Sequence, residues 1–304
     1  MNKPWHGVLV ATALPMTDRG EIDFERFGTH VAWLAENGCH GVTPNGSLGE
    51  YPTLTVEERA RVVRTAVDAA PDGFTVMPGV AAYGAAEARR WAEQAAEAGC
   101  PAVMLLPPNA YRADERAVLA HYREVAKAGL PIVAYNNPID TKVDLVPELL
   151  AELYQEGLIV AVKEFTGDVR RPYRIAELAP GLEVLCGADD VALELAIAGS
   201  PGWIAGFPNA LPKSTVEFWR AASAGDLATA LPLYRVLHPL LRWDSRVEFV
   251  QAIKLSMDIA GRYGGPCRQP RVPLTPEHEA AVRQATERVL AEERSEQPST
   301  EGLS

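Results

Sequence analysis

The sequence predicts a (β/α)8 barrel followed by a C-terminal helical segment. Short apolar runs alternate with longer amphipathic segments eight times within residues 7–222, and the runs are apolar on both faces. Strands of that kind are typical of a parallel sheet covered by helices on the outside. A chain of 304 residues is long enough to bury the core of such a barrel.

The predicted strands follow one another at similar spacing, at residues 7–12, 41–43, 74–78, 102–106, 131–135, 158–163, 182–186 and 202–205. The predicted helices alternate with them, at residues 24–37, 55–69, 84–98, 114–127, 145–154, 169–178, 189–198 and 212–222. Thr55 followed by Glu58 is a capping-box pattern at the start of the second helix. Four helical stretches end at a glycine just before the next strand, at Gly38, Gly99, Gly129 and Gly157.

The barrel is predicted to occupy residues 1–222 and the helical segment residues 223–293, with helices near 226–242, 246–261 and 275–293 packed on the barrel. Residues 294–304 are polar and lack an apolar period, so they are predicted to be disordered. The alternative fold is an open doubly wound sheet. That fold would usually carry a GxGxxG turn after its first strand, where residues 12–16 here read TALPM.

Composition excludes several classes of protein. The 29 Lys and Arg residues against 40 Asp and Glu residues leave a net charge of −11, which disfavours binding to nucleic acid or anionic membrane. The four cysteines are far apart, without a CxxC pair, which excludes a zinc ribbon or disulfide scaffold. The six histidines show no metal-ligand spacing. No apolar run approaches the roughly 18 residues of a membrane span, so the chain is predicted to be soluble and cytoplasmic.

Lys163 ends a predicted strand that should be buried. Burial of an unpaired ammonium lowers its pKa and makes the neutral amine available. In the mouth of a barrel, where (β/α)8 enzymes hold their active sites, a neutral amine can form a Schiff base with a carbonyl substrate. The alternative interpretation is a lysine paired with a barrel carboxylate or bound to a phosphate.

Tyr135 ends the preceding strand, so its side chain can reach the same cavity as Lys163. A phenol there can move a proton to and from a carbinolamine oxygen and from the carbon next to the imine. Alternatively, its ring packs and its hydroxyl meets a backbone group. The turn at 45–50 (NGSLGE) follows the second strand, and its glycines allow backbone N–H groups to form a carboxylate nest. Ser47 adds a hydroxyl for a proton relay, and no Gly-Lys-Ser/Thr of a phosphate loop follows.

These segments resemble the signature segments of the dihydrodipicolinate synthase / N-acetylneuraminate lyase family. The resemblance covers residues 7–290 and rests on 46–50 (GSLGE), 135–138 (YNNP) and 162–168 (VKEFTGD), in matching order and spacing. It implies a TIM barrel, usually a homotetramer, with a dimer as the smaller alternative. It also implies class I Schiff-base chemistry on pyruvate or another 2-oxo acid, with an aldehyde in the aldol reactions and without a metal or organic cofactor.

The resemblance also implies the roles of individual residues. Lys163 would form the imine and Tyr135 would shuttle the proton. Ser47, with its own and the following backbone amide, would hold the carboxylate of the 2-oxo acid. The substrate-binding positions that match the family are Gly46, Ser47, Leu48, Gly187 and Ile204.

Three departures from the family pattern bear on the second substrate. Leu48 stands where dihydrodipicolinate synthases have a second hydroxyl residue, which breaks the usual proton relay. The tyrosine lent by a neighbouring subunit falls at Ala110, so that Tyr111 would substitute only if the loop shifts. Asp140 replaces the arginine that grips the carboxylate of a semialdehyde, and its charge would repel an anionic aldehyde.

The preferred function is therefore an aldolase-type lyase that cleaves or forms 4-hydroxy-2-oxo acids or sugar acids. A deaminase of 1-pyrroline-4-hydroxy-2-carboxylate or a dehydratase of a keto-deoxy sugar acid is the first alternative, and a true 4-hydroxy-tetrahydrodipicolinate synthase the second. A silent 2-oxo-acid-binding protein and a phosphate-binding barrel are the remaining alternatives. Asp189 and Asp190 are predicted to cap a helix, and Glu50 to organise the glycine turn through backbone hydrogen bonds.

Overall fold

The structure, a computed structural model, describes residues 3–296 of the chain. Its eight strands pair in parallel in one sheet with the order β3-β2-β1-β8-β7-β6-β5-β4. They are β1 (Gly7–Ala11), β2 (Gly41–Thr43), β3 (Thr75–Val76), β4 (Val103–Leu105), β5 (Ile132–Asn136), β6 (Ala161–Glu164), β7 (Glu183–Cys186) and β8 (Gly202–Ala205). A parallel bridge between Gly79 and Met104 joins β3 to β4. The barrel is therefore closed, as the sequence predicts, and the open doubly wound alternative is wrong.

The helices surround this barrel and continue beyond it. They are α1 (Phe24–Glu36), α2 (Val56–Ala69), α3 (Ala85–Glu97), α4 (Glu115–Ala126), α5 (Pro138–Thr141), α6 (Pro147–Gln155), α7 (Arg171–Leu178), α8 (Ala192–Ile197), α9 (Pro212–Ser223), α10 (Leu227–Leu241), α11 (Phe249–Ile259) and α12 (Pro276–Glu296). The sequence does not predict α5, a single turn that follows β5. Within residues 3–296 no helix is both long and apolar enough to cross a membrane.

Local sequence signals account for where the barrel helices begin and end. At the start of α2, Thr55 Oγ1 accepts from the Glu58 N–H at 3.2 Å and a Glu58 carboxylate oxygen accepts from the Thr55 N–H at 2.9 Å. This is the predicted capping box. The four glycines predicted to end helices all have positive φ, between 71° and 87°, the left-handed conformation that glycine adopts at little cost.

The C-terminal segment packs α10 against α9 and α12 against both α10 and α11. Its predicted boundary with the barrel, near residue 223, coincides with the turn between α9 and α10 and stays a prediction. Helix α12 extends through Glu296, three residues into the segment predicted to be a disordered tail. The rest of that tail, residues 297–304, lies outside the described residues.

Candidate active site

The amine of Lys163 lies in the mouth of the barrel beside the ring of Tyr135. Lys163 is the third residue of β6 and is paired in register with Tyr135 on β5, which brings both side chains to the same cavity. The distance from Lys163 Nζ to the centroid of the Tyr135 ring is 4.3 Å. Both residues are buried, at 5% and 4% exposure. The structure thus brings together the two residues on which the sequence analysis depends.

Gly187 lies against the aliphatic part of Lys163. A Cβ at Gly187 would come within 2.8 Å of Lys163 Cγ and 2.6 Å of the Glu164 carbonyl oxygen. Any side chain at position 187 would displace the lysine or the backbone of β6. The predicted binding position Gly187 is therefore next to Lys163. Ile204, the other predicted position on this side, is buried in β8.

Burial shifts the protonation equilibrium of Lys163 towards its neutral form. Among residues 3–296, no carboxylate oxygen lies within ion-pair distance of its amine. Burial lowers the pKa of Lys163, and the negative charges of Asp244 and Asp189 oppose that shift in part. A lysine with a lowered pKa has more of its amine available as a nucleophile near neutral pH.

Tyr135 keeps its proton and is held by one amide side chain. Asn137 Nδ2 donates to the Tyr135 hydroxyl at 3.2 Å and to Asp140 Oδ2 at 2.8 Å. Burial raises the pKa of Tyr135 well above its ordinary value, and the charge of Asp244 raises it further. The predicted residue Asp140 is exposed, in α5, and is separated from the Tyr135 hydroxyl only by the Asn137 amide.

The turn after β2 presents free backbone amides. Neither the Ser47 N–H nor the Leu48 N–H donates a hydrogen bond within the described part of the chain, whereas the Ser47 carbonyl accepts from the Glu50 N–H at 3.0 Å. Gly46 and Leu48 are buried and Ser47 is half-buried. Two unengaged N–H groups and a hydroxyl are the parts of a carboxylate nest. Leu48 places a buried apolar side chain beside Ser47 in this turn.

Glu50 stabilises this turn in a way that the sequence does not predict. Its backbone has φ 54°, and its buried carboxylate does not bind the amides of its own turn. Instead, Oε1 accepts from Lys254 Nζ at 2.9 Å and Oε2 accepts from the Arg268 N–H at 2.8 Å. The predicted role of Glu50 is thus replaced by a link between the turn and the C-terminal segment.

Tyr111 was predicted to be a site residue but is exposed, whereas Tyr51 was not predicted and lies at the mouth. Tyr111, the proposed substitute for the missing relay tyrosine, is 62% exposed and makes no side-chain hydrogen bond with any described residue. Tyr51, which the sequence analysis missed, lies at the mouth, where its hydroxyl accepts from Asn109 Nδ2 at 3.2 Å. Burial raises the pKa of Tyr51, and the charge of Asp140 contributes to that rise. Its position directly after Glu50 in the glycine turn was the available signal.

Two aspartates of the mouth were also missed as site residues. Asp189 is fully buried and does not cap α8; its carboxylate accepts from Trp203 Nε1 at 2.9 Å and from the N–H groups of Gly206 and Phe207 at 3.0 and 3.1 Å. The predicted cap is wrong because the side chain turns inward to the loop after β8. The Asp189 N–H donates to Asp244 Oδ2 at 3.2 Å. Burial raises the pKa of Asp244 to about 6.

The described residues hold no group of three or more His, Cys, Asp or Glu side chains arranged to bind a metal ion. The polar groups at the mouth are instead an amine, the hydroxyls of Ser47, Tyr51 and Tyr135, backbone amides and carboxylates. This set can bind a carboxylate, add an amine to a carbonyl carbon and exchange protons.

The chain is similar to known proteins over most of its length. The model of the dihydrodipicolinate synthetase family matches residues 4–289. A 4-hydroxy-tetrahydrodipicolinate synthase of Methanothrix thermoacetophila is 34% identical over 282 residues, covering 92% of this chain and 95% of the relative. One from Jannaschia sp. is also 34% identical, covering 92% and 97%. The solved structure of a putative dihydrodipicolinate synthetase from Pseudomonas aeruginosa is 30% identical, with a TM-score of 0.89, covering 93% of this chain and 99% of that one.

Proposed function

The chain belongs to the dihydrodipicolinate synthetase family of class I aldolase-type lyases, and we propose that it forms a Schiff base between Lys163 and pyruvate or another 2-oxo acid. The observation that carries this proposal is the buried Lys163 amine, which has no ion-pair partner among residues 3–296 and lies 4.3 Å from the centroid of the Tyr135 ring. The family match supports the reaction class, and the free amides at Ser47 support a substrate with a carboxylate beside its carbonyl.

The proposed chemistry begins when the substrate carboxylate binds the Ser47 and Leu48 amides. The lone pair of the neutral Lys163 amine then attacks C2, and the electrons of the carbonyl double bond move to oxygen, which takes a proton from the Tyr135 hydroxyl. The amine nitrogen returns a proton to the Tyr135 oxygen. The Tyr135 hydroxyl then donates its proton to the C2 hydroxyl, the C2–O bond breaks and water leaves. The nitrogen lone pair forms the C2–N double bond of the iminium, which leaves Tyr135 as a phenolate. The enzyme needs no external cofactor for this sequence.

The second half of the substrate is proposed to be uncharged. Asp140 occupies the position where the family has an arginine for the carboxylate of a semialdehyde, and Asp244 adds a second negative charge to the mouth. An anionic aldehyde would be repelled by both. We therefore propose aldol cleavage or condensation of a 4-hydroxy-2-oxo acid or sugar acid. Deamination of 1-pyrroline-4-hydroxy-2-carboxylate and dehydration of a keto-deoxy sugar acid are the alternatives that use the same imine.

A second candidate is 4-hydroxy-tetrahydrodipicolinate synthase itself, which is the name of the curated relatives reported above. The test is a panel of neutral and carboxylate-bearing aldehydes offered with pyruvate to the wild type and to Asp140→Arg. Our proposal expects the neutral aldehydes to be preferred and the substitution to favour the anionic ones. A wild type that prefers the anionic aldehyde would establish the second candidate.

Self-association and a cytoplasmic location remain predictions. The exposed tyrosines Tyr83 and Tyr111, at 70% and 62% exposure, lie on loops around the mouth, where a second copy of the chain would cover them. We propose a homotetramer, with a dimer as the alternative. Light scattering of the purified protein distinguishes these states from a monomer.

The experiment that tests the reaction class is borohydride trapping. The protein is incubated with pyruvate, reduced and analysed by intact and peptide mass spectrometry, with Lys163→Ala as the matched control. The expected result is a pyruvyl adduct on the Lys163 peptide and none in the variant. An adduct only with a longer 2-oxo acid would favour the deaminase or dehydratase, and no adduct with any 2-oxo acid would leave a non-catalytic binding protein.

A further inference from the structure

A cavity of about 520 Å³ lies outside the strands of the barrel, between α1 and the turn that follows α11. A cavity of this size is large enough to hold a small molecule. Helix α1 lines it with Arg26, Thr29 and His30, and the turn lines it with Arg262 and Tyr263. None of the residues that line it belongs to the mouth of the barrel, so a ligand bound here would be separate from the substrate.

Arg262 is a cation without an anionic partner. The central carbon of its guanidinium lies 4.3 Å from the centroid of the Trp33 ring, and its buried Nε has no hydrogen-bond acceptor among residues 3–296. The charge of Glu36 raises the pKa of Arg262 against the lowering effect of burial, but within the described chain no carboxylate is at ion-pair distance. An arginine whose donors are unused is well suited to bind a carboxylate.

The second arginine of the cavity is already paired. Arg26 Nε lies 3.0 Å from Asp23 Oδ2, and its guanidinium carbon lies 4.4 Å from the centroid of the Tyr263 ring. The charges of this pair cancel, which leaves Arg262 as the cation available to an anionic group. Glu25 is exposed and adds a negative charge to the lining. A ligand whose anionic group meets Arg262 can therefore also carry a cationic group.

The hydrogen bonds of His30 fix which of its ring nitrogens carries the proton. His30 is 3% exposed, and its Nε2 lies 3.0 Å from Asn209 Oδ1. Asn209 Nδ2 donates to the carbonyls of Ala11 and Gly206, each at 2.7 Å, so Asn209 Oδ1 can only accept. His30 Nε2 is therefore the donor. Burial lowers the pKa of His30 to about 4, which keeps the ring neutral near pH 7.

In this tautomer His30 Nδ1 is a bare acceptor. It is buried and receives no hydrogen bond from any residue that the structure describes. A buried acceptor without a donor is costly, and an O–H or N–H group from a ligand would remove that cost. The His30 ring stacks on Trp33 with 5.7 Å between the ring centroids. The free acceptor of His30 and the free cation of Arg262 are thus neighbours of the same indole.

We propose that this cavity binds a small carboxylate that carries its own hydroxyl or ammonium group. The carboxylate accepts from the Arg262 guanidinium, and the hydroxyl or ammonium donates to His30 Nδ1. Thr29 Oγ1 donates to the Glu25 carbonyl at 3.0 Å and can accept a further hydrogen bond from the ligand. Binding is non-covalent and needs neither Lys163 nor an imine, so the inference is independent of the function proposed above.

The test compares lactate, alanine and propionate. The three share a skeleton and a carboxylate and differ at C2, which carries a hydroxyl, an ammonium group or only hydrogen. Ligand-observed NMR titration of the wild type measures the Kd of each, expected to be on the order of 1 mM for a ligand of this size that uses all the contacts. The tighter of lactate and alanine identifies the donor, and propionate should bind about tenfold more weakly than that ligand.

Three variants locate the binding. Arg262→Gln removes the cation and keeps a side chain that can lie on Trp33, so the Kd should rise by about tenfold to hundredfold. Arg61→Gln is the matched control and should bind as the wild type, since Arg61 also stacks on an aromatic ring, that of Phe24 at 3.9 Å, but outside the cavity. Thr29→Trp puts a bulky side chain at an exposed position of the lining and should block binding.

Several outcomes would overturn the proposal. Propionate binding within about threefold of the tighter ligand would remove His30 as the acceptor. A Kd unchanged in Arg262→Gln would place the carboxylate elsewhere, such as on the Ser47 turn. Failure of both lactate and alanine to bind at about tenfold the expected Kd would leave the cavity without this ligand. If circular dichroism shows that Arg262→Gln does not fold, Thr29→Trp decides: lost binding supports the proposal and unchanged binding overturns it.

Discussion

Two buried lysines of this chain have opposite surroundings. Lys254 in α11 is 1% exposed, and its amine donates to Glu50 Oε1 at 2.9 Å and to the Pro266 carbonyl at 2.7 Å. Lys163 in β6 is 5% exposed, and within the described residues its amine contacts aromatic rings and has no carboxylate at ion-pair distance. Burial alone therefore does not distinguish a structural lysine from a reactive one. What distinguishes them is whether a carboxylate lies within ion-pair distance of the amine.

The physical reason is desolvation. Removing an ammonium from water is costly, and a carboxylate in contact with it offsets much of that cost and keeps the lysine charged. Glu50 is in such contact with Lys254, at 2.9 Å, and the pair links the C-terminal segment to the turn that carries Ser47. Asp189 and Asp244 stand farther from Lys163, so its pKa is lowered and its amine stays available for chemistry.

The largest expected effect is the loss of all turnover in Lys163→Ala. Without the amine no imine can form, so the borohydride adduct should disappear while circular dichroism still shows the wild-type fold. Lys213→Ala, which removes an exposed lysine of α9, is the control and should keep both activity and adduct. Turnover by Lys163→Ala at a rate near that of the wild type would contradict the Schiff-base mechanism.

The second-largest expected effect follows substitution of Tyr135, whose ring lies beside the Lys163 amine. Tyr135→Phe keeps the aromatic contact with Lys163 and removes only the hydroxyl, so imine formation should slow by roughly 10²–10⁴-fold. Rapid mixing with pyruvate followed by borohydride quenching measures this rate. An unchanged rate would remove Tyr135 from the proton transfer and leave it as a packing residue.

The paired lysine should instead control stability. Lys254→Met leaves the Glu50 carboxylate buried without its partner, which should lower the free energy of unfolding by about 3–5 kcal/mol. Urea denaturation measures this change, with Lys213→Met as the exposed control. The double variant Glu50→Gln/Lys254→Met should recover part of the loss because no lone charge remains. A loss in Lys254→Met no greater than in the control would mean that the pair is not stabilising.

The smallest expected effect is a gain in the free energy of unfolding, where the Lys254 substitution predicts a loss. Lys163→Met removes an amine whose desolvation cost no ion pair offsets. The variant should therefore be more stable than the wild type by on the order of 1–2 kcal/mol near neutral pH. Because the pKa of Lys163 is lowered in the folded state, the unfolded chain binds more protons between that pKa and about 10.4.

The wild type should therefore gain stability relative to Lys163→Met as the pH rises through that window, and the difference between them should shrink. Urea denaturation at several pH values measures it. A Lys163→Met variant less stable than the wild type, or a gap that widens with pH, would show that Lys163 is stabilised in the fold and that the contrast with Lys254 is mistaken.

Much of the fold was predictable because its signals are local. The eight apolar runs, the capping box at Thr55 and the glycines that end helices all depend on residues close together in the chain. The predicted helices, α5 aside, begin and end within three residues of the observed ones. The one-turn helix α5 was missed because a single turn starting at Pro138 has no periodicity to detect.

The sequence by itself determined the barrel, the family and the position of Lys163, Tyr135 and the Ser47 turn at strand ends. Only the tertiary structure decided that Glu50 pairs with Lys254, that Asp189 turns inward and donates its N–H to Asp244, and that Tyr51 is bonded to Asn109 while Tyr111 stays exposed. The reason is physical: periodicity and capping are interactions between neighbours in the chain. The charge state of a buried group depends on which distant side chains the fold brings next to it.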